Sequence, residues 1–303
     1  MYYFIIGILY PISLLPLWIL YRLSDLAWFI TYYIVRYRRD IVMNNLQIAF
    51  PEKTEAERTV IARQFYRHLT DTFIETIKMI SLSEKKFMKM CKMEMGEVVE
   101  LANKGVNIQF HAGHQFNWEL ANWMIAKKMP IPFIGVYKRI HNETFDRIFF
   151  NMRSRTGSVL VGTHEFRNRM HALMANQYSI GLAADQNPGN PAQAYWLHFF
   201  NRPVPFVTGP DKGAIRNKSA VVFVRLIQVR RGRYRFETKI ITENASSMPL
   251  GELTRIYRTM LEDTIRQQPA NYLWSHRRWR WEYQSAFEKN WIDINPAPSS
   301  NPS

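Results

Sequence analysis

Two patterns of hydrophobic and polar positions alternate along most of the chain. Short apolar runs are separated by longer segments in which apolar residues recur at helical spacing. The short runs are typical of strands buried in a sheet, and the longer segments are typical of helices that pack on its faces. The predicted strands cover 105–110, 132–137, 158–162, 179–184, 220–225 and 234–241, and the predicted helices cover 118–125, 142–155, 165–175 and 250–267. This alternation predicts an α/β fold with a central, mostly parallel sheet flanked by helices.

The N-terminal segment differs from the rest of the chain. Residues 2–21 carry no charge, and their number is close to the ~20 that cross a hydrocarbon core as a helix. No basic residue precedes this run and no small-residue cleavage site follows it, so we expect a retained membrane anchor rather than a signal peptide. Basic residues instead follow the run, at Arg22, Arg36, Arg38 and Arg39. Their position predicts that the body of the protein faces the cytoplasm. Two prolines, Pro11 and Pro16, leave a kinked or interfacial hairpin as the alternative to a spanning helix.

These patterns divide the chain into three parts. Residues 1–40 form the predicted anchor with a basic juxtamembrane segment, 41–288 form the main domain, and 289–303 form a tail that we expect to be disordered. Within the main domain, residues 41–100 are predicted to be mostly helical, with one long helix over 55–81, and 101–288 form the α/β core. A domain of this size can bury a core without disulfides.

The cysteine count and the net charge limit the kinds of fold and of binding partner that we expect. A single cysteine among 303 residues excludes an intramolecular disulfide framework, and Cys91 is predicted to be a packed thiol. The net charge of +15 favours anionic partners, such as acidic proteins and anionic lipid headgroups. Helix-turn-helix, zinc-finger and RNP signatures are absent from the sequence, so no nucleic acid is expected. Residues 277–281, R-R-W-R-W, suit either a headgroup interface or a packed C-terminal segment.

The segment 113–119, G-H-Q-F-N-W-E, carries the most informative candidate chemistry. His114 lies in the predicted turn after a strand, and Glu119 lies in the first turn of the following helix. Residues five apart do not share a face of one helix, but across this turn the carboxylate can reach back and orient the imidazole as a general base. In the alternative interpretation, His114 caps the helix and Glu119 is an ordinary acidic residue in its first turn. A zinc site with His111, His114 and Glu119 as ligands is a weaker interpretation, because no H-E-x-x-H motif is present.

Two further groups of polar residues flank predicted strands. Asp185 and Gln186 follow the strand 179–184 and are predicted to face the same crevice as His114, because ligands gather beyond the carboxyl ends of parallel strands. Asp185 could instead cap the turn that follows. Arg153 and Arg155 end a helix before a strand, where they could bind phosphate, stabilise an oxyanion or complement the helix dipole.

These features together resemble the lipid A biosynthesis acyltransferases of Gram-negative bacteria. Seven segments in this order carry the resemblance: the N-terminal anchor, N-N-L-Q-I-A-F-P-E (44–52), G-H-Q-F-N-W-E (113–119), G-V-Y-K (135–138), R-S-R-T-G (153–157), A-D-Q (184–186) and N-Y-L-W-S-H-R-R-W (271–279). Carried over residue by residue, the family's catalytic pair falls on His114 and Glu119. Its acidic residue falls on Asp185 and its arginine on Arg153 or Arg155.

The resemblance implies a reaction and a location. Acyl transfer from an acyl carrier protein thioester to a hydroxyl of an anionic glycolipid is expected, with no covalent intermediate, metal or cofactor, at the bacterial inner membrane. The catalytic domain would face the cytoplasm and work on a lipid in the bilayer. An acyltransferase for another glycolipid or aminolipid, a membrane scaffold that retains the fold without turnover, and a metal-dependent hydrolase are the alternatives.

Overall fold

A central sheet organises the chain, of which the computed structural model describes residues 1–298. Its seven strands are β1 Cys91–Met93, β2 Ile108–Ala112, β3 Phe133–Tyr137, β4 Ser158–Gly162, β5 Ser179–Ala183, β8 Ala220–Arg230 and β9 Arg233–Thr242. They are arranged in the order β1-β9-β8-β2-β5-β3-β4, and every neighbouring pair is parallel except β8 with β9. A separate antiparallel hairpin contains β6 Tyr195–Phe199 and β7 Arg202–Phe206. The predicted fold, a mostly parallel sheet flanked by helices, is confirmed.

Helices cover the sheet and precede it. Within residues 1–298 they are α1 Tyr2–Leu14, α2 Leu17–Phe29, α3 Arg39–Ala49, α4 Glu55–Met79, α5 Glu84–Met90, α6 Gly96–Asn103, α7 Trp118–Lys128, α8 Glu143–Ser154, α9 Phe166–Leu173, α10 Gly209–Arg216 and α11 Glu252–Gln267. The longest, α4, begins at a capping box in which Thr54 and Glu57 satisfy each other's backbone amides. Each predicted helix and strand of the core is present, with ends shifted by a few residues.

The N-terminal hairpin consists of α1 and α2, which continues through a π-helical turn at Ile30–Ile34. None of the described helices is by itself long and apolar enough to cross a membrane, but Tyr2–Leu14 and Leu17–Ile34 together meet that test as a pair bent by 118°. The hairpin leaves many large apolar side chains exposed, including Phe4 and Trp18. A continuous helix over residues 2–21 was therefore the wrong geometry, because the chain bends between Leu14 and Leu17.

Helix α4 holds this hairpin through a polar face. Asp71 accepts a hydrogen bond from the Ser24 hydroxyl at 2.6 Å and pairs with Arg231 at the β8–β9 turn. Lys78 donates to the backbone carbonyls of Ser13 and Leu15 at 2.6 and 2.9 Å, which lie at the end of α1. A cation at this place satisfies carbonyls that a helix end leaves without partners.

The C-terminal segment packs closely against the core. Arg278 is buried, with its guanidinium over the Phe206 ring at 4.3 Å, so at this arginine R-R-W-R-W is a packed segment rather than a headgroup surface. The predicted tail, 289–303, also begins in contact with the body, because Asp293 accepts a hydrogen bond from the His198 amide at 2.7 Å. Residues 299–303 lie outside the described part of the chain.

Candidate active site

The register of the sheet brings two of the candidate residues together. Strands β2 and β5 are parallel neighbours in which Ala112 pairs with Ala183. His114 and Asp185 each follow that pair by two residues, so they emerge side by side at the carboxyl edge of the sheet. This is the edge at which parallel α/β sheets bind ligands.

Asp185 holds the imidazole of His114. Its Oδ1 lies 2.6 Å from His114 Nδ1, and its Oδ2 accepts a hydrogen bond from the His114 backbone amide at 2.9 Å. The aspartate is buried, whereas 23% of the His114 side chain is exposed. Burial by itself would lower the pKa of His114, but the charges of Asp185 and Glu119 and the hydrogen bond outweigh it and raise that pKa. The pKa of Asp185 is held below its ordinary value, because the charge of His114 and these hydrogen bonds outweigh the effect of burial.

This arrangement fixes the tautomer of the base. A carboxylate that accepts from Nδ1 leaves Nε2 as the proton acceptor in the neutral ring. Among residues 1–298, no group makes a hydrogen bond to His114 Nε2. Buried and bonded to the backbone, Asp185 can also stabilise the imidazolium that forms when the ring takes a proton.

Gly113 is required by packing rather than by backbone conformation. A Cβ atom at this position would lie 2.4 Å from Leu261 Cδ1, a fully buried side chain of α11. The turn is also tied to the C-terminal segment, because the Leu273 amide donates to the His114 carbonyl at 3.1 Å. The motif G-H is therefore clamped between α11 and residues 271–279.

Glu119 has a different partner from the one predicted. Its carboxylate accepts from Arg153 Nε at 2.9 Å and from Arg153 Nη2, and it also accepts from the Trp118 indole at 3.2 Å. The hydrogen bond to His114 is made by Asp185 instead. Glu119 acts on the imidazole through its charge, which contributes to the raised pKa of His114.

The two candidate arginines separate clearly. Arg153, in the last turn of α8, forms the bidentate pair with Glu119 and lines the cavity beside His114. Arg155 points elsewhere: its guanidinium donates to the backbone carbonyls of Ile80 and Leu82 just after α4. Arg155 therefore supports the fold, and Arg153 is the arginine at the site.

A narrow cavity of about 200 Å³ lies against this edge of the sheet. His114, Arg153 and Lys138 stand among the polar residues of its wall. The remainder of the lining is mainly apolar or glycine and includes Phe110, Ala112, Ile125, Gly135, Gly181, Leu182, Val224 and Leu226. Such a space suits a chain of methylene groups whose reactive end lies at the histidine.

Gln186 does not face the same space. It lines a second cavity of about 610 Å³ between the N-terminal hairpin and the C-terminal segment, with Tyr37, Arg38 and His276. Trp118 lines both cavities and stands between them. The prediction that Asp185 and Gln186 share one crevice with His114 therefore fits Asp185 and not Gln186.

Other histidines nearby differ from His114. His111 lies inside β2, and burial lowers its pKa to about 4. Burial and the charge of Arg278 lower the pKa of His276 to about 4, and its Nε2 accepts from the Asn187 amide at 3.2 Å. Among residues 1–298, no group of three His, Cys, Asp or Glu side chains is arranged to hold a metal ion.

A buried carboxylate that the sequence analysis missed contacts the residue that caps the helix of Glu119. Glu75 of α4 is 1% exposed and accepts hydrogen bonds from Asn117 Nδ2 at 3.0 Å, the Tyr234 hydroxyl at 2.7 Å and the Tyr21 hydroxyl at 2.8 Å. Asn117 in turn caps α7, because its Oδ1 accepts from the Glu119 amide. Glu75 thus joins the N-terminal hairpin to the helix that carries Glu119.

Glu75 should make stability depend on pH. Burial raises its pKa to about 7, even though its three hydrogen bonds oppose the shift. The folded chain therefore keeps a proton that the unfolded chain loses above its ordinary pKa, and stability should fall as pH rises from about 4.5 to 7, by roughly 3 kcal/mol. Glu75→Gln should remove this slope, as unfolding in nonionic detergent across that range would reveal. The exposed Glu100→Gln is the matched control, and an unchanged slope in Glu75→Gln would contradict the assignment.

Comparison with known proteins places this fold and site in a class. A parallel sheet with a histidine–aspartate pair at its carboxyl edge, beside a cavity lined mainly by apolar residues, is compatible with a transferase of lipid acyl chains. The family model described as "Bacterial lipid A biosynthesis acyltransferase" matches residues 1–281, and the chain belongs to this family.

Relatives cover most of the chain at low identity. The "Lipid A biosynthesis lauroyltransferase" of Escherichia coli (strain K12) is 22% identical over 281 residues, which are 91% of this chain and 90% of the relative. The "Lipid A biosynthesis palmitoleoyltransferase" of the same organism is 22% identical over 248 residues, 80% of this chain and 79% of the relative. A "Lipid A biosynthesis acyltransferase" of Haemophilus influenzae is 24% identical over 246 residues, 80% and 78%.

Proposed function

We propose that the protein transfers a fatty acyl chain from an acyl carrier protein thioester to a hydroxyl of a lipid A precursor in the bacterial inner membrane. The observation that carries the proposal is the His114–Asp185 pair, whose histidine lines a cavity of about 200 Å³ with many apolar residues in its wall. Membership of the acyltransferase family supports the class of reaction. The names of the relatives support the lipid A precursor as the acceptor.

His114 acts as a general base in this proposal. Nε2 takes the proton of the acceptor hydroxyl while the hydroxyl oxygen attacks the thioester carbonyl. The tetrahedral intermediate then expels the carrier thiolate, which takes the proton back from His114. Acyl chain and proton are thus exchanged without an acyl-enzyme, and no metal or cofactor enters the reaction.

Arg153 and Glu119 support the same step. The pair keeps Arg153 at the cavity wall, where its Nη1 makes no hydrogen bond with any residue of the described chain. We assign Nη1 to the developing oxyanion, because a charged donor held before the reaction stabilises negative charge there. Glu119 positions this arginine and adds negative charge near His114.

The exposed apolar hairpin and the charge of the chain support the remaining parts of the proposal. The side chains left exposed on α1 and α2 suit insertion into a bilayer. A net charge of +15 suits both an acidic carrier protein and a phosphorylated glycolipid. The second cavity, which lies between the hairpin and Gln186, is the proposed route for the acceptor.

The test is transfer of labelled acyl chains from a panel of acyl carrier protein thioesters, in detergent, to a lipid A precursor. We expect transfer to this acceptor, with a preference for one chain length and for the carrier-bound donor over the coenzyme A thioester. Labelling of a different lipid in whole membrane extract would keep the reaction and reject the acceptor. A folded protein that labels no lipid would reject acyl transfer in favour of a scaffold.

A further inference from the structure

A third cavity, beside the break in the N-terminal hairpin, is lined by several cationic side chains. It measures about 640 Å³ and lies between the break in the hairpin, the end of α4, helix α5 and the β8–β9 turn. Its lining includes Lys78, Lys86, Lys89, Arg230, Arg231 and Arg233, and no carboxylate. We call this space the basic cavity.

Few of these cations have an anionic partner. Arg231 is paired with Asp71 and Asp25. Lys78 and Arg233 are bonded to backbone carbonyls, which leave their charge uncompensated. Within residues 1–298, the other three cations of the cavity form no ion pair at all. Burial, and next the charge of Lys86, lower the pKa of Lys78, as expected where like charges converge. A bound anion would be attracted by this group of cations.

The apolar lining and rim of the basic cavity indicate an amphiphilic ligand. Leu14, Leu17, Leu82 and Met90 also line the cavity. Met88 and Val229, which neighbour cationic residues of the rim, are 40% and 59% exposed. Positive groups beside an exposed apolar surface are the arrangement that favours an anionic headgroup attached to lipid, and ammonium and guanidinium groups bind phosphate well.

The basic cavity opens at the same edge of the sheet as His114. Strand β8 is the parallel neighbour of β2, with Val224 opposite Ala112, and it continues for six residues to Arg230. At ~3.3 Å per residue, the β8–β9 turn lies about 20 Å beyond Val224 along the strand. Tyr21, which lines the basic cavity, is bonded to the Glu75 that also holds Asn117 under the site.

We propose that the basic cavity binds a phosphate group carried by a membrane lipid. The binding itself does not require acyl transfer, although the acceptor as the source of the phosphate rests on the function proposed above. Two sources share this chemistry: a phosphate of the acceptor glycolipid and the phosphate of a surrounding anionic phospholipid.

The first arm of the test measures binding without turnover. The full chain would be mixed with vesicles of zwitterionic phospholipid, with or without phosphatidic acid, and bound protein separated by flotation. The double variant Lys89→Gln/Arg230→Gln removes two exposed cations, and the matched control Lys104→Gln/Lys128→Gln removes the same charge elsewhere on the exposed surface. Loss of about 1 kcal/mol per cation predicts that the cavity variant loses on the order of tenfold or more of the phosphatidic acid-dependent binding.

Outcomes of this arm decide the proposal. A loss confined to the cavity variant supports a built phosphate site. Equal loss in both variants means that attraction is spread over the basic surface, and no loss in either means that the basic cavity does not bind the headgroup; each result overturns the proposal. Unfolding midpoints equal to that of the unsubstituted chain are required for both variants, and none of the four substituted side chains is buried.

The second arm identifies the source of the phosphate. KM for the lipid A precursor would be compared with KM for the same precursor after enzymatic removal of its phosphates. If the cavity variant raises KM for the phosphorylated acceptor alone, the acceptor supplies the phosphate; if KM is unchanged while vesicle binding is lost, the bulk phospholipid does. Absence of turnover in every sample would count against the proposed function and leave the vesicle result to be read independently.

Discussion

Replacing His114 with alanine is expected to lower kcat/KM for acyl transfer by about 10² to 10⁴. In the proposed mechanism the imidazole is the base that takes the proton of the acceptor hydroxyl, and its Nε2 is left available because Asp185 occupies Nδ1. The measurement is acyl transfer by the variant under the conditions used for the unsubstituted protein. Near-normal turnover would reject His114 as the base.

A second histidine offers the control. His171 is exposed on α9 and lines neither the cavity beside His114 nor the second cavity. His171→Ala should therefore retain most of the activity. A loss in His171→Ala as large as that in His114→Ala would show that the effect is not specific to His114.

The pH dependence separates a base from a merely structural histidine. Asp185 and Glu119 raise the pKa of His114 above its ordinary 6.5. The ring is therefore protonated, and inactive as a base, until the pH exceeds this raised pKa. The acidic limb of kcat/KM should therefore have its midpoint above 6.5. A flat profile across this region would contradict the assignment.

Local sequence was enough to place each residue of the site in its turn, but it did not predict which of these residues contact each other. His114 was predicted in a turn after a strand, and Asp185 after another strand, as the structure has them. Their contact depends on β2 and β5 being neighbours in the sheet, an order that no spacing within the chain specifies. Glu119 was the closer carboxylate in sequence, so it was assigned the place that Asp185 occupies.

The polar face of α4 was hidden for a different reason. Asp71, Glu75 and Lys78 share one side of the helix by their spacing, and in a sequence such a side resembles a solvated surface. In the structure this side is covered by the N-terminal hairpin, and all three residues are buried. Their polar atoms form hydrogen bonds with the hairpin and, for Asp71, with Arg231 of the β8–β9 turn. Partners this distant in the chain cannot be read from helical periodicity.

The two arginines at the end of α8 show how backbone geometry decides between equivalent candidates. Both Arg153 and Arg155 follow from the same R-S-R-T-G segment. Arg153 lies in the last turn of α8, and Arg155 is its C-cap with helical dihedral angles. Residues two apart do not share a face of a helix, so Arg153 reaches Glu119 while Arg155 reaches the carbonyls after α4. A difference of two residues at a helix end reverses the direction of a side chain, and helix ends are the least certain part of a prediction.

Asp185→Asn is expected to reduce kcat by up to about 10⁴, an effect comparable with loss of the base itself. An amide can present its NH₂ to Nδ1, which stabilises the tautomer that carries its proton on Nε2 and cannot accept one from the acceptor hydroxyl. Removal of the negative charge also destabilises the imidazolium, so the pKa of His114 should fall. The acidic limb of the residual kcat/KM should therefore move to lower pH than in the unsubstituted protein, a change that loss of folding alone would not produce.

The chain contains a matched control for this substitution. The side chain of Asp293 is also buried and also holds a histidine, through one oxygen: its Oδ2 accepts from the His198 amide at 2.7 Å and lies 3.1 Å from His198 Nδ1. This second pair belongs to β6 and the C-terminal segment and does not line the cavity beside His114. Asp293→Asn should lower the free energy of unfolding about as much as Asp185→Asn does. The protein that remains folded should keep most of its activity. If both variants lose turnover in proportion to their stability, with the acidic limb unmoved, Asp185 is a structural partner of the turn and the base must be sought elsewhere.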